Sequence, residues 1–249
     1  MSQDAFYTKD YEGEMISIAL SWRDKNNPDK MTWVERTIIN DDHDEIAHIL
    51  GNGNSRLKLN LQFLHGQTGG ATVRGVGQSY GCNLLYKDFN PTFLISTNVD
   101  ICKDIVESGY AEDNIVYTNV KNILKNPDSF HLYPNIYTAH AGALALRLAC
   151  ADGHKTIYLV GMEGYEHPTD NVYVDTHPNY VEQNSYGRTN EKFVDMNIRI
   201  IQTYPDVAFY FVVPQLGTIS EKYKWCGNVK ELRFNEYISH ASLGAIHHG

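Results

Sequence analysis

Paired cysteines, long apolar runs and an excess of positive charge are all missing from this sequence. The four cysteines of the 249-residue chain, Cys82, Cys102, Cys150 and Cys226, lie far apart with no CxxC pair. That spacing argues against a disulfide framework or a cysteine-built zinc site and favours buried thiols. No apolar stretch approaches the roughly 20 residues that a membrane helix needs, so no membrane span is expected. The opening residues, MSQDAFYTKDYEGE, are polar and acidic and lack the charged-then-apolar order of a signal peptide. Cytoplasm is therefore the expected location. A formal net charge of -9 disfavours broad, non-specific nucleic-acid binding, which depends on Lys and Arg neutralising phosphates, while leaving room for a local basic patch.

What is present is the composition of a globular domain, 42% hydrophobic and 20% charged. Tyrosine is abundant at 17 residues, which suits a cleft that stacks on and hydrogen-bonds polar ligands. Residues 1–45 read as an N-terminal hairpin or edge extension, with strands at Met15–Trp22 and Met31–Ile39. The acidic run NDDHDE that follows reads as a solvated turn. Its Asp42-His43-Asp44 spells DxD but precedes the first core strand, where a sugar-nucleotide metal site is not expected. From residue 46 to 249 short apolar runs alternate with helical patterns. Strands are predicted at Ala47–Leu50, Gln78–Cys82, Thr92–Thr97, Asn114–Thr118, Thr156–Val160 and Val207–Val213. Helices are predicted at Val99–Ser108, Ala139–Ala151 and Glu191–Tyr204, and the tail ISHASLGAIHHG is expected to be partly disordered. Strands interleaved with helices predict one α/β domain, Rossmann-like, with a mostly parallel sheet flanked by helices.

In such sheets ligands sit beyond the carboxyl ends of the strands. Those ends here carry Gly51-Asn52-Gly53-Asn54-Ser55-Arg56, Gly81-Cys82-Asn83, Ser96-Thr97-Asn98 and Gly161-Met162-Glu163-Gly164-Tyr165. Glycine lets backbone approach a phosphate or ribose closely. Backbone N–H groups there can bind an anion. Asparagine carries donor and acceptor together and can read a base edge or a ribose hydroxyl without adding charge. A nucleotide meets all three demands. The loop GNGNSR is neither GxGxxG, since no third glycine or later acidic ribose binder follows, nor a P-loop, since GxxxxGK[ST] is missing. A dinucleotide dehydrogenase is therefore disfavoured. Asn98-Val99-Asp100 reads better as a helix cap than as a DxD metal site, and no metal site is predicted. His131, His154 and His167 read as structural, and Trp22, Trp33 and Trp225 as core or rim.

The motifs ILGNGNS, YGCN, LISTN and GHKTIYLVGMEGY, followed by Val172-Tyr173-Val174-Asp175, occur in an order similar to that of bacterial lipooligosaccharide sialyltransferases. The resemblance spans residues 46 to 213. Part of the framework is also similar to MptE-like pterin pyrophosphokinases, and YGCNLLYKDF resembles a block in uncharacterised tailed-phage proteins. The sialyltransferase resemblance implies a variant of the GT-A glycosyltransferase fold, with residues 46–249 forming a nucleotide-sugar-binding domain. It implies an enzyme that transfers a sugar from a CMP- or UDP-sugar to a hydroxyl, without a required cofactor. The acceptor implied is a glycan or, through the phage-like block, a hydroxymethylated DNA base. In that case the location would be the host cytoplasm.

Carried over by position, Gly51, Asn52, Gly53 and Ser55 would face donor phosphate and sugar, and Asn83 and Asn98 would hold the nucleotide. Thr138, His140 and Gly142 would contact the donor. Tyr165 and Tyr173 would donate hydrogen bonds to the departing phosphate. The family's histidine base falls on Arg188 here, and a guanidinium cannot act as a base near neutrality; it can pair with phosphate. Asp175 and His177 are the first candidates for the proton acceptor. Glu163 and His140, which also lie among the donor-side residues, come next. Two other readings stay open: an Mg-dependent pyrophosphokinase or nucleotidyl transferase, and a non-catalytic nucleotide-binding protein. Neither the sugar nor the oligomeric state is legible.

Overall fold

The computed structural model describes residues 3–9, 15–23, 31–35, 40, 45–64, 77–126, 128–133, 139–162, 171–177, 180 and 189–244. Near the N-terminus, β1 (Gln3–Lys9), β2 (Met15–Arg23) and β3 (Met31–Glu35) form an antiparallel sheet of their own. The predicted hairpin is its β2–β3 pair, and β1 adds a third strand.

The main sheet begins with β4 (Ile46–Leu50), β5 (Gln78–Cys82), β6 (Phe93–Ile95), β7 (Val116–Thr118) and β8 (His131–Leu132). It continues with β9 (Thr156–Val160), β10 (Ala208–Val213) and β11 (Val229–Arg233). All its neighbouring pairs are parallel. The spatial order is β11-β10-β9-β4-β5-β6-β7-β8. The chain therefore starts in the middle, steps outward to β8, returns to β9 on the other side of β4, and steps outward again. The order reverses between β4 and β9.

IAHIL, TIYLV and AFYFVV are strands because β-branched, aliphatic and aromatic side chains suit a pleated surface covered on both faces. Alternation sorts their side chains between two layers. Ile49, Ile157, Leu159, Phe209 and Phe211 pack with α4 (Ala141–Ala151) and α5 (Thr189–Thr203). The alanines of α4, Ala143, Ala145 and Ala149, are fully buried in that layer. Leu50, Tyr158, Val160 and Val212 pack on the opposite face with α1 (Val99–Glu107), α3 (Val120–Lys125) and α6 (Phe234–Gly244). Between α1 and α3 lies α2 (Tyr110–Asp113), a single turn. The result is a three-layer α/β domain with an open sheet; the class is as expected, and the sheet is parallel throughout rather than mostly so. Among the described residues no helix is long and apolar enough to cross a membrane.

The departures from expectation have local causes. The strand predicted at Asn114–Thr118 starts at Val116, because Gly109 at φ +73 turns the chain into α2 just before it. β11, with sequence VKELR, is a partly exposed edge whose charged side chains leave no apolar run to detect. β8 is too short to carry a period. The tail is a correction: ISHASLG belongs to α6, and only residues 245–249 lie outside the described residues. The helix docks through Tyr237 and Ala241, both fully buried and one turn apart. Its anchor is the Tyr237 hydroxyl against His48 Nδ1 at 2.8 Å. His48 is itself buried and stacks on Tyr158 with centroids 5.1 Å apart.

This docking predicts a graded loss of stability. Tyr237→Phe, which strips His48 Nδ1 of its hydroxyl partner, should cost about 1–3 kcal/mol. Tyr237→Ala, which also empties the ring's site, should cost about 3–5 kcal/mol. Urea unfolding measures both, and a wild-type midpoint for the alanine variant would mean that α6 is not docked.

Candidate functional site

The loops leaving β4 and β9 meet where the strand order reverses, the place at which open parallel sheets bind ligands. After Leu50 the chain continues the ladder with β9 for two more bonds: Gly51 N donates to Val160 O at 2.8 Å and Gly53 N to Gly161 O at 3.0 Å. A Cβ on Gly51 would sit 2.3 Å from the Gly161 carbonyl oxygen, and one on Gly53 2.8 Å from it. Gly161 adopts φ +65, the left-handed region that favours glycine. These three glycines bring two backbones into contact with each other, a reason for their presence that the sequence reading did not foresee.

On top of this contact lies the segment 171–177. Gly53 and Asn171 form an isolated antiparallel bridge, and Val172 N donates to Asn52 O at 2.8 Å. Asn171 Oδ1 accepts from Tyr173 N and tightens the turn that follows. Asn52 is thereby only 3% exposed. Its Nδ2 donates to the Tyr180 hydroxyl at 3.3 Å, while Oδ1 is buried without a partner among the described residues. Ser55 Oγ, three residues on, is likewise buried without a partner among the described residues.

The loop after β5 converges on the same point. Asn83 adopts φ +53, a conformation that asparagine tolerates better than most residues, and opens a short 3-10 turn, Asn83–Lys87. Its Oδ1 accepts from Ser96 Oγ at 3.4 Å. Tyr180 is held between the Asn52 and Asn83 carboxamides; burial drives its pKa up and those two bonds oppose the shift. Asn52, Asn83, Ser96 and Tyr180 thus form one polar group drawn from the ends of β4, β5 and β6 and from the later chain.

Beside it, Arg56 is 3% exposed. Its Nη2 donates to Asp88 Oδ2 at 2.9 Å and to the Tyr173 hydroxyl at 2.7 Å, and that hydroxyl donates to Asp88 Oδ2 at 2.6 Å. Burial pushes the Tyr173 pKa up, Arg56 opposes it and Asp88 adds to it, so the hydroxyl keeps its proton. Cys82 lies near this cation, yet burial outweighs it and drives the thiol pKa up to about 12. An undissociated thiol is no nucleophile.

The remaining candidates are distributed as follows. The Asn98 carboxamide oxygen caps α1, accepting from Asp100 N and Ile101 N at 2.9 and 3.1 Å. Asp175 is exposed on the 172–176 turn. His177 is buried, with Nε2 3.3 Å from Asp104 Oδ2, and meets Tyr180 edge-on. His140 precedes α4 against the Phe193 ring, and burial lowers its pKa, with Lys192 adding to the effect. Gly142 faces Met162, whose Sδ would be 3.1 Å from an added Cβ. Thr138, Glu163, Tyr165 and Arg188 lie outside the described residues, as do Asp42, His43 and Asp44. His154 is buried against the Tyr80 hydroxyl at 2.9 Å. Trp225, at 86% exposure, is neither core nor rim. Among the described residues no group of three or more His, Cys, Asp or Glu side chains is arranged to hold a metal ion.

Sequence reasoning missed Tyr180, Asp88 and Asp104, and it noted Arg56 only as the last residue of the GNGNSR loop. Asp88 is 32 residues from Arg56 and Tyr180 is 128 from Asn52. No local pattern links either pair.

No protein-family model matches the chain, and no curated protein matches it. Among solved structures it is similar to a variant of the sialyltransferase CST-II in complex with CMP. That likeness has 16% identity and a TM-score of 0.48, covering 73% of this chain and 86% of that one.

The glycine contact yields a stability prediction. Gly51→Ala should destabilise the protein by about 1–3 kcal/mol, because the clash is with backbone that cannot rotate away. Gly227→Ala, where an added Cβ meets nothing within 4 Å, should stay within about 0.5 kcal/mol. Denaturant titration of the two variants side by side checks this, and equal midpoints would contradict it.

Proposed function

We propose that the chain is a glycosyltransferase that binds a nucleotide-sugar at the β4–β9 crossover and moves the sugar to a hydroxyl acceptor. The observation that carries this reading is the pair of buried atoms Asn52 Oδ1 and Ser55 Oγ, which have no partner among the described residues. Each such atom costs about 1–3 kcal/mol unless something binds it. Asn52 Oδ1 calls for a donor, such as a ribose hydroxyl or an amino group; Ser55 Oγ can donate to a phosphate oxygen. A nucleoside phosphate offers both within one molecule.

In the transfer the acceptor oxygen forms a bond to the anomeric carbon as the bond from that carbon to the phosphate oxygen breaks. The phosphate keeps the electron pair, and the acceptor proton passes to a base. Asp175, an exposed carboxylate on the turn beside the site, is the proposed base; His177 has its Nε2 committed to Asp104. Tyr165 is the proposed donor to the departing phosphate. Tyr173 is a weaker choice, because its one proton is given to Asp88. The acceptor is a glycan hydroxyl or a hydroxymethylated base; the latter would have to be swung out of its duplex. Asn83 and Asn98 are proposed to hold the nucleotide, and Thr138, His140, Gly142 and Glu163 to line the donor.

Thermal unfolding with CMP, UDP, GDP and ATP tests the nucleotide. A ligand at a hundred times its Kd adds about 2.7 kcal/mol, which for a chain of this size raises Tm by about 5–10 °C. CMP or UDP should produce that shift, and Asn52→Ala should abolish it. Tyr165→Phe should lower kcat by about 100-fold, and transfer should persist in EDTA. No stabilisation by any of the four nucleotides would overturn the reading. Activity lost in EDTA would point to the pyrophosphokinase alternative, since phosphoryl transfer leans on metal charge.

A further inference from the structure

Three buried side-chain atoms without a partner among the described residues fall between residues 52 and 56: Asn52 Oδ1, Ser55 Oγ and Arg56 Nε. The third is unlike the others because it belongs to a charge. Arginine is rarely buried unless fully paired, since removing the guanidinium from water costs several kcal/mol.

The pairing of Arg56 is lopsided in two ways. Asp88 is its one salt-bridge partner among the described residues, and the Asp88 side chain is 42% exposed against 4% for that of Arg56. The countercharge is therefore half in solvent, where its field is screened, while the cation is dry. In addition, Asp88 and Tyr173 both bond the same nitrogen, Nη2. A guanidinium that exists to hold a carboxylate presents two nitrogens to it in a parallel fork. Here the fork is not used, and Nε is left over among the described residues.

We propose that Arg56 is the resident cation of the nucleotide site: its buried Nε–H donates to a phosphate oxygen of the bound nucleotide, while Asp88 and Tyr173 position the guanidinium through Nη2. This inference rests on the reading of the β4–β9 crossover as a nucleotide site. The three partnerless atoms then match two parts of one ligand. Arg56 Nε and Ser55 Oγ donate to the phosphate, and Asn52 Oδ1 accepts from a hydroxyl or amine of the nucleoside. The assignment also answers an electrostatic question. Breaking the bond from the sugar to the phosphate leaves an electron pair, and hence more negative charge, on the phosphate, and a cation already fixed nearby stabilises it without reorganisation. No proton leaves the guanidinium in this step, because arginine stays charged at any working pH.

The test is the affinity increment contributed by the phosphate. Isothermal titration of the full chain compares CMP with cytidine, UMP with uridine, GMP with guanosine and AMP with adenosine. For the base that binds, the wild-type protein should prefer the monophosphate by about 10–100-fold, the range of a hydrogen bond to a charged group. Arg56→Gln should shrink that ratio to about threefold or less while leaving nucleoside affinity within about twofold. Asp88→Asn separates the proposal from a purely structural ion pair. If Asp88 only positions the cation, this variant keeps the phosphate preference or enlarges it; if the pair is structural, both variants weaken nucleoside and nucleotide alike. Should Arg56→Gln not fold, Asp88→Asn decides alone: equal weakening of nucleoside and nucleotide in it, or loss of the phosphate preference, overturns the proposal. A preference that survives Arg56→Gln, or is missing from the wild type, overturns the role of Arg56 alone. Binding of no monophosphate at all overturns the nucleotide site itself.

Discussion

Everything at the carboxyl edge of the sheet depends on one backbone contact. Gly51 and Gly53 bond to Val160 and Gly161, which closes the gap between β4 and β9 where their loops would otherwise part toward opposite faces of the sheet. A side chain at Gly51 would force the facing loop to shift, because any Cβ there collides with its carbonyl. With the two loops joined, the 171–177 segment bridges onto Gly53 and carries Tyr173 and His177 over the site. A single tight approach of two chains thus gathers side chains from four separate stretches of sequence.

The polar cluster built on that contact is underpaired, and the rest of the domain offsets the deficit. Two large apolar layers cover the sheet, and α6 is pinned by the Tyr237–His48 bond. Against that background, unbonded atoms on Asn52, Ser55 and Arg56 can be carried in the folded state. Partly satisfied buried networks are costly in general, and one concentrated at a strand-order reversal fits a site whose missing partners arrive with a ligand.

The parts of the fold that could be read in the sequence were those with a short-range period. β5 and β9 were placed to the residue, since QSYGC and TIYLV are bounded by clear breaks. α4 was recognisable from its run of Ala and Leu. β11 and α6 were not legible, because an edge strand with Lys, Glu and Arg and a helix anchored at Tyr237 and Ala241 show little apolar pattern. At the site, Asn52 and Asn83 stood out as amides at strand ends, and the structure joins them through Tyr180. Asn98 carried the same signal and is used to cap α1, for a strand-end asparagine before a helix serves either purpose.

The sequence by itself determined the α/β class, the parallel sheet and the edge at which polar residues collect, because hydrophobic period and strand direction are local properties. Only the tertiary structure decided that the glycines of GNG face another backbone, that Arg56 finds Asp88 and Tyr173, and that α6 returns to β4. Those contacts join residues as far as 189 positions apart. They follow from the order in which the strands assemble, which fixes which side chains lie within bonding distance and which are left without a partner.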